Sequence, residues 1–168
     1  MVESEHGEAL EGTERLQGRG ALVNNVKAAS ALAGAVRSTL GPKGLNKMLV
    51  EADGSSIVTN DGVTILENAN VEHPTAKMLI QASSSQDRSS RDGTTTTIIL
   101  ISEMLQNAME LVAMGIHPSV IVNGYGIALE EGIKEARRIA KTPGKSEMDM
   151  AVRTALEGKG DTATCNFF

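Results

Sequence analysis

Apolar residues recur at helical spacing in two long segments of the chain. In the first segment they fall three or four residues apart just before Gly41-Pro42, at Val23, Val26, Ala29, Leu32, Ala33, Val36 and Leu40. This pattern predicts a buried, alanine-rich helix that the Gly-Pro pair ends. The second segment precedes Gly115 and has its apolar stripe at Ile98, Ile101, Leu105, Ala108 and Val112. It predicts another helix, with the glycine at its C-terminal end.

Turn residues and prolines indicate the remaining elements. Two short apolar runs, 47–51 and 56–59, flank Ala52-Asp53-Gly54-Ser55, which predicts a β-hairpin with a solvent-facing turn. A short helix is predicted after Asp61-Gly62. Pro74 suits the first position of a helix that runs to about Ser85, because proline has no N–H to lose there.

The last third of the chain predicts two further helices. Pro118 begins a long one that Thr142-Pro143-Gly144 ends, with one face formed by Ile121, Tyr125, Ala128, Leu129, Ala136 and Ile139. A shorter helix follows over residues 146–157. The predicted fold is therefore mainly α with one β-hairpin. Without alternating βα units, a doubly wound nucleotide fold is not expected.

Composition narrows the possible functions. Aromatic residues make up only 2% of the 168 residues, so the core must be aliphatic. The net charge is −5, and no Lys/Arg cluster is interleaved with aromatic residues, which argues against a nucleic-acid partner. No apolar run is long enough for a membrane span. The single cysteine, Cys165, excludes an internal disulfide framework and fits a reducing compartment, so we expect a cytoplasmic protein.

Two Asp-Gly-x-Thr signatures suggest chemistry. Residues 61–64 read Asp-Gly-Val-Thr and residues 92–95 read Asp-Gly-Thr-Thr, and each is predicted to open a helix. A helix N-terminus offers unpaired N–H groups to an anion, and a nearby carboxylate can hold a divalent cation. The threonines Thr94–Thr97 sacrifice helix propensity for hydroxyl groups. Each signature is also compatible with an ordinary turn and N-cap.

Other candidate sites are weaker. The segment 40–44, Leu-Gly-Pro-Lys-Gly, is either a helix stop or a phosphate loop, and no G-x-x-x-x-G-K-[ST] motif occurs. The histidines His6, His73 and His117 lack metal-ligand spacing. We therefore assign them no catalytic role.

Six segments taken together resemble a known family. In chain order they are VRSTLGPKGLNKMLV (36–50), TNDGVTIL (59–66), VEHPTAKMLI (71–80), DGTTTT (92–97), GIHPSVIVNGY (115–125) and RTALEGKG (153–160). The chain resembles a group II chaperonin, the archaeal thermosome and eukaryotic cytosolic type. Residues 1–20 are acidic and aperiodic, which predicts a disordered tail. The resemblance implies the N-terminal half of a mainly helical equatorial domain over 21–143, and the start of an intermediate domain over 144–168.

The resemblance also implies ATP and Mg²⁺ as cofactors and gives roles to particular residues. Leu40, Gly41, Pro42 and Lys43 match the family's phosphate loop. Asp92 matches its Mg²⁺ ligand, and Gly93, Thr94, Thr95 and Thr96 match its contacts to the phosphates. Asp61 falls where the family has a catalytic carboxylate near the γ-phosphate and the attacking water. Lys159 matches a lysine of the nucleotide-sensing loop.

Two departures from the family limit these expectations. Arg91 stands where the family has glycine; if that position is left-handed, arginine costs about 1–2 kcal/mol and crowds the site. We expect impaired binding, although the guanidinium could instead pair with phosphate. The chain also stops at Phe168, before the family's apical domain and returning segments. We expect a truncated or frame-disrupted product.

Three functions remain open at this point. The chain is part of an ATP-dependent chaperone subunit that assists folding of unfolded client proteins, within a double ring of chaperonin subunits. Alternatively, it is a nucleotide-binding or assembly module without ATPase turnover, or a non-functional remnant whose helices expose apolar faces. For the chain by itself we favour the second.

Overall fold

The computed structural model describes residues 17–41, 43–50, 53–69 and 71–156, with the side chain of residue 156 left out. Most of these residues are helical, and the two strands form an antiparallel hairpin. In chain order the elements are α1 (Gly18–Arg37), β1 (Lys47–Val50), β2 (Ser56–Thr59), α2 (Gly62–Glu67), α3 (Pro74–Ser90), α4 (Thr94–Ala113), α5 (Pro118–Ile139) and α6 (Lys145–Leu156). The predicted fold class, mainly α with one hairpin, is confirmed.

Helix α1 begins at Gly18 and ends at Arg37. It ends before Gly41 because Thr39 folds back: the N–H and the hydroxyl of Thr39 donate to the carbonyl of Val36, at 3.0 and 2.8 Å. The helix buries the middle of its predicted stripe. Leu40, at the stripe's end, is 50% exposed.

The core lies where α1, α2, α3 and α4 meet. Its buried apolar residues are Ala29, Leu32, Ala33, Val36, Ile65, Leu66, Ala76, Leu79 and Ile98. The buried Ser83 donates to the carbonyl of Thr94 at 3.4 Å, which joins α3 to the first turn of α4. An ion pair between Arg37 and Glu103 joins α1 to α4 on the surface. This packing holds the first turn of α4 in contact with α3 and the core.

The hairpin has the predicted strands and turn. Lys47 pairs with Thr59 and Val50 with Ser56. Leu49 packs partly buried against the core, while Met48 and Val58 point outward and are 68% and 63% exposed. The described turn residues, Asp53–Ser55, are exposed, as expected.

Helix α3 is longer than its sequence suggested. It continues through a serine-rich stretch to Ser90, five residues past the predicted end. Serine disfavours helix interiors because its hydroxyl competes for backbone groups; here Ser83 and Ser84 bond to groups outside the helix instead, Thr94 and Glu67. Arg91 then ends the helix in a left-handed conformation.

Helices α5 and α6 begin where proline and the Gly144 break predicted. Only Ile121 of α5 is buried, and the hydroxyl of Tyr125 donates to the carbonyl of Met104 in α4 at 2.7 Å. The rest of the predicted face of α5 is exposed in the described structure. None of the described helices is long and apolar enough to cross a membrane.

Candidate functional site

Helix α4 begins without a side-chain cap. Gly93 is its N-cap residue, with φ of 79°, and it has no side chain with which to accept a hydrogen bond from the first turn. The carboxylate of Asp92 accepts from the N–H of Gly93 at 2.7 Å, one residue before the helix. The first N–H groups of α4, those of Thr94–Thr96, are therefore left for water or a ligand.

Helix α2 has an ordinary cap. One carboxylate oxygen of Asp61, Oδ2, accepts from the N–H and from the hydroxyl of Thr64, at 2.9 and 2.7 Å. The plain turn-and-cap interpretation thus holds for this oxygen. The side chain is nevertheless exposed, and among the described residues Oδ1 has no hydrogen-bond partner.

The two Asp-Gly signatures touch at Gly62. A Cβ atom added to this buried glycine would lie 2.4 Å from Oγ1 of Thr95 and 3.1 Å from Oγ1 of Thr94. Only a residue without a side chain allows this approach. The N-termini of α2 and α4, whose Asp-Gly signatures are 31 positions apart in the sequence, therefore lie side by side.

The segment after α1 forms a compact turn beside them. The N–H of Gly44 donates to the carbonyl of Gly41 at 2.9 Å, and that of Leu45 to Ser38 at 2.8 Å. A Cβ on Gly44 would lie 2.2 Å from the carbonyl oxygen of Thr39. The glycine is required for the turn to close on the end of α1.

These segments surround one cleft of about 700 Å³. Eight of the sequence-predicted site residues line it, namely Leu40, Gly41, Asp61, Asp92, Gly93, Thr94, Thr95 and Thr96. Lys43 is exposed and is not among the lining residues. Pro42 and Lys159 lie outside the described residues.

Sequence reasoning missed several residues that line the cleft. Thr39, Asn60 and Gly62 adjoin predicted site residues, and their position next to the motifs was the signal that could have found them. Ala151, Thr154 and Ala155 of α6 also line it. Nothing in these small, ordinary side chains indicates a site.

Arg91 adopts the left-handed conformation in which arginine is strained. Its φ is 55° and ψ is 20°, and among the described residues it is the only non-glycine with positive φ. The strain is worth about 1–2 kcal/mol. Its guanidinium pairs with Asp87, Nη1 to Oδ2 at 3.3 Å, and the side chain is 81% exposed. Arg91 is also one of the residues that line the cleft.

The lining suits a phosphate group with Mg²⁺. Mg²⁺ is usually held by one or two carboxylates together with phosphate oxygens and water. Asp61 and Asp92 supply two carboxylates, and within the described ranges no group of three His, Cys, Asp or Glu side chains could hold a metal ion alone. The cleft volume also lies within the usual range for small-molecule sites, about 300–1,000 Å³.

Comparison with known proteins identifies the same family by its sequence profile and by individual relatives. The sequence profile of the TCP-1/cpn60 chaperonin family matches residues 32–168. Thermosome subunit alpha of Thermoplasma acidophilum is 49% identical over 162 residues, and thermosome subunit beta of Archaeoglobus fulgidus is 47% identical over 153 residues. These matches include 94% and 89% of this chain but only 29% and 28% of the two relatives.

A solved structure shares the fold. The crystal structure of a group III chaperonin in the open state superposes with a TM-score of 0.74 and 33% identity. The match covers 87% of this chain and 30% of that one. The chain thus spans less than a third of the length of each of these proteins.

Proposed function

Because the chain belongs to the TCP-1/cpn60 chaperonin family, we propose that it is the nucleotide-binding part of an ATP-dependent chaperone subunit. The observation that supports this most directly is the cleft itself. Three separated segments, around Gly41, Asp61 and Asp92, meet there. An ordinary N-cap would not require the three to meet.

The sequence-predicted site residues have chemical roles in this proposal. The N–H groups at the start of α4 and the hydroxyls of Thr94–Thr96 bind phosphate oxygens. Asp92 holds Mg²⁺, which when bound neutralises charge on the phosphates. Asp61 orients the attacking water through Oδ1, since Oδ2 already caps α2. Leu40 and Gly41, with Pro42 and Lys43, form the loop beside the phosphates, and Lys159 senses the terminal phosphate.

The partners follow from the same proposal. Chaperonin subunits of this family would form a double ring around unfolded client proteins in the cytoplasm, with ATP hydrolysis coupled to folding. The named relatives are thermosome subunits, which supports an assembled state. We assign neither nucleic acid nor membrane as a partner.

A second candidate is nucleotide binding or subunit docking without turnover. The exposed apolar residues of α5, including Val122, Ile127 and Leu129 at 69%, 67% and 63% exposure, favour it. A surface of this kind is typical of a contact with another protein. Phosphate release separates the two candidates: turnover that Asp61→Asn abolishes supports the first, whereas binding without turnover supports the second.

Thermal unfolding of the chain with and without excess Mg-ATP tests the proposed site. At about 100 times the dissociation constant, ligand adds roughly 2.7 kcal/mol, which corresponds to a rise in Tm of several degrees for this size. Asp92→Asn should remove most of the rise. Glu110→Gln, an exposed carboxylate in the last turn of α4, is the matched control and should keep it. An equal rise in all three proteins would contradict the site.

A further inference from the structure

The charges around the cleft are unbalanced for a polyphosphate. Among the described lining residues the ionisable side chains are two carboxylates, Asp61 and Asp92, and one cation, Arg91. The nearby Lys43 is not part of the lining. With Mg²⁺ held by Asp92 as proposed, Arg91 is the one cationic side chain among the described lining residues that is left to contact phosphate oxygens directly.

Arg91 occupies the junction between the two helices that border the site. It ends α3, and Asp92 and Gly93 directly after it lead into α4. The left-handed backbone is one that glycine or asparagine adopts with less strain. Arginine stands there nevertheless, as a lining residue of the cleft, and among the described residues its guanidinium pairs with Asp87.

The Arg91–Asp87 ion pair is weak. The separation is 3.3 Å, and the two side chains are 81% and 30% exposed. Surface pairs of this kind contribute little to stability. A phosphate can accept two hydrogen bonds from the same guanidinium, and this bidentate, charge-assisted interaction is stronger than the pair with Asp87.

We propose that Arg91 is a phosphate-binding residue of this cleft, and that its guanidinium leaves Asp87 to bind the terminal phosphates of the nucleotide. The inference rests on the proposed function. It replaces the expectation that arginine at this position only obstructs the site. The residue then determines preference for a polyphosphate over a monophosphate.

Arg91→Asn tests this proposal, because asparagine tolerates the left-handed backbone and removes the charge. Calorimetry should give a Kd for Mg-ATP about tenfold weaker than in the parent chain, and a Kd for AMP changed by less than about twofold. The Tm without ligand should not fall, because backbone strain is reduced. A residue that acts only on folding would show the opposite pattern.

Arg88→Ala is the matched control. Arg88 lies in the last turn of the same helix and bonds Ser85, but it does not line the cleft. The substitution Arg88→Ala removes one positive charge from a position near Arg91. Its Kd for Mg-ATP should stay within about twofold of the parent, and a loss equal to that of Arg91→Asn would mean that only general charge matters, which would overturn the proposal.

Asp87→Asn tests the exchange itself. It removes the competing carboxylate but keeps the Asp87 carbonyl that accepts from the N–H of Arg91 at 2.8 Å. Binding of Mg-ATP should tighten about two- to threefold in the parent chain and should not change in the Arg91→Asn background. Tightening in both backgrounds would contradict the exchange.

The outcomes separate this proposal from the proposed function. If the parent chain binds Mg-ATP and Arg91→Asn binds it equally or more tightly, the role of Arg91 is wrong while the nucleotide site stands. If the parent chain binds no Mg-ATP at millimolar concentration, the proposed function fails and the inference fails with it. A selective loss of ATP affinity in Arg91→Asn supports both.

Discussion

Gly62 is the single residue on which the geometry of the site most depends. Gly62→Ala would place a Cβ 2.4 Å from the hydroxyl of Thr95, so the Thr95 side chain must change rotamer or one of the two helices must shift. Forcing extra volume into a packed site costs about 1–3 kcal/mol, and we expect the Tm measured by circular dichroism to fall by several degrees.

Gly34→Ala is the control for this substitution. Gly34 lies within α1, and a Cβ there would meet nothing within 4 Å. Alanine should therefore stabilise the chain by about 0.5–1 kcal/mol through its better helix propensity. If the two glycine-to-alanine changes shift Tm in the same direction, the close approach at Gly62 is wrong.

Asp53 gives a prediction about pH at the same scale. The backbone N–H of Ser55 donates to its carboxylate at 2.8 Å, and this hydrogen bond lowers the pKa of Asp53 below its ordinary 3.8. Because the folded pKa is depressed, the stabilising contribution to the hairpin turn is fully present above pH 3.8. It is lost as the pH falls through the lowered pKa. An NMR titration of the Asp53 carboxyl carbon should have its midpoint below 3.8, and a midpoint at or above that value would contradict the turn geometry.

At the scale of elements, the helix starts that proline marks were predictable, whereas the ends of α1 and α3 were not. Proline at Pro74 and Pro118 fixes a first helical position through its own ring, and both helices begin there. The end of α3 depends on where serine hydroxyls find partners outside the helix, which is tertiary information. Similarly, the end of α1 depends on the fold of the turn after it.

The contact between α4 and α5 offers a test at this scale. Tyr125→Phe removes the hydrogen bond from the phenol to the carbonyl of Met104 at 2.7 Å and leaves the ring in place. We expect a loss of about 0.5–1.5 kcal/mol in the free energy of unfolding, measured by urea titration. An unchanged midpoint would mean that α5 is not held against α4 through this residue.

The candidate site was predictable in its parts but not in its assembly. Asp61, Asp92 and the threonines could be identified because carboxylates and hydroxyls at two predicted helix starts can bind a divalent cation and an anion. Spacing along the chain could not show that these helix starts lie together at Gly62. Their proximity depends on tertiary packing, which is so close that a Cβ at position 62 would lie 2.4 Å from Oγ1 of Thr95. The contribution of α6 could not be predicted either, because alanine and threonine there carry no chemical signal.

At the scale of the whole molecule, helix α5 exposes several large apolar side chains. Val122→Lys combined with Leu129→Glu replaces two residues that are 69% and 63% exposed, so folding should be little affected. Because large exposed apolar patches promote association, the double variant should show weaker self-association by light scattering, with unchanged helical circular dichroism.

The matched control for this double variant introduces the same charges outside α5. Gln81→Lys with Asn107→Glu also introduces one cation and one anion, at exposed polar positions of α3 and α4. It should leave association as it is in the parent chain. If both double variants reduce association equally, charge and not the apolar surface of α5 controls it.

The contact at Gly62 also has a consequence for how this sequence can change over time. A methyl group at position 62 collides with the hydroxyl of Thr95, so the two positions are not free to vary independently. Thr95→Ala first would make room for a later Gly62→Ala, whereas the reverse order passes through a destabilised intermediate. Two motifs distant in the sequence are therefore joined by epistasis, and the order of substitution determines which variants are accessible.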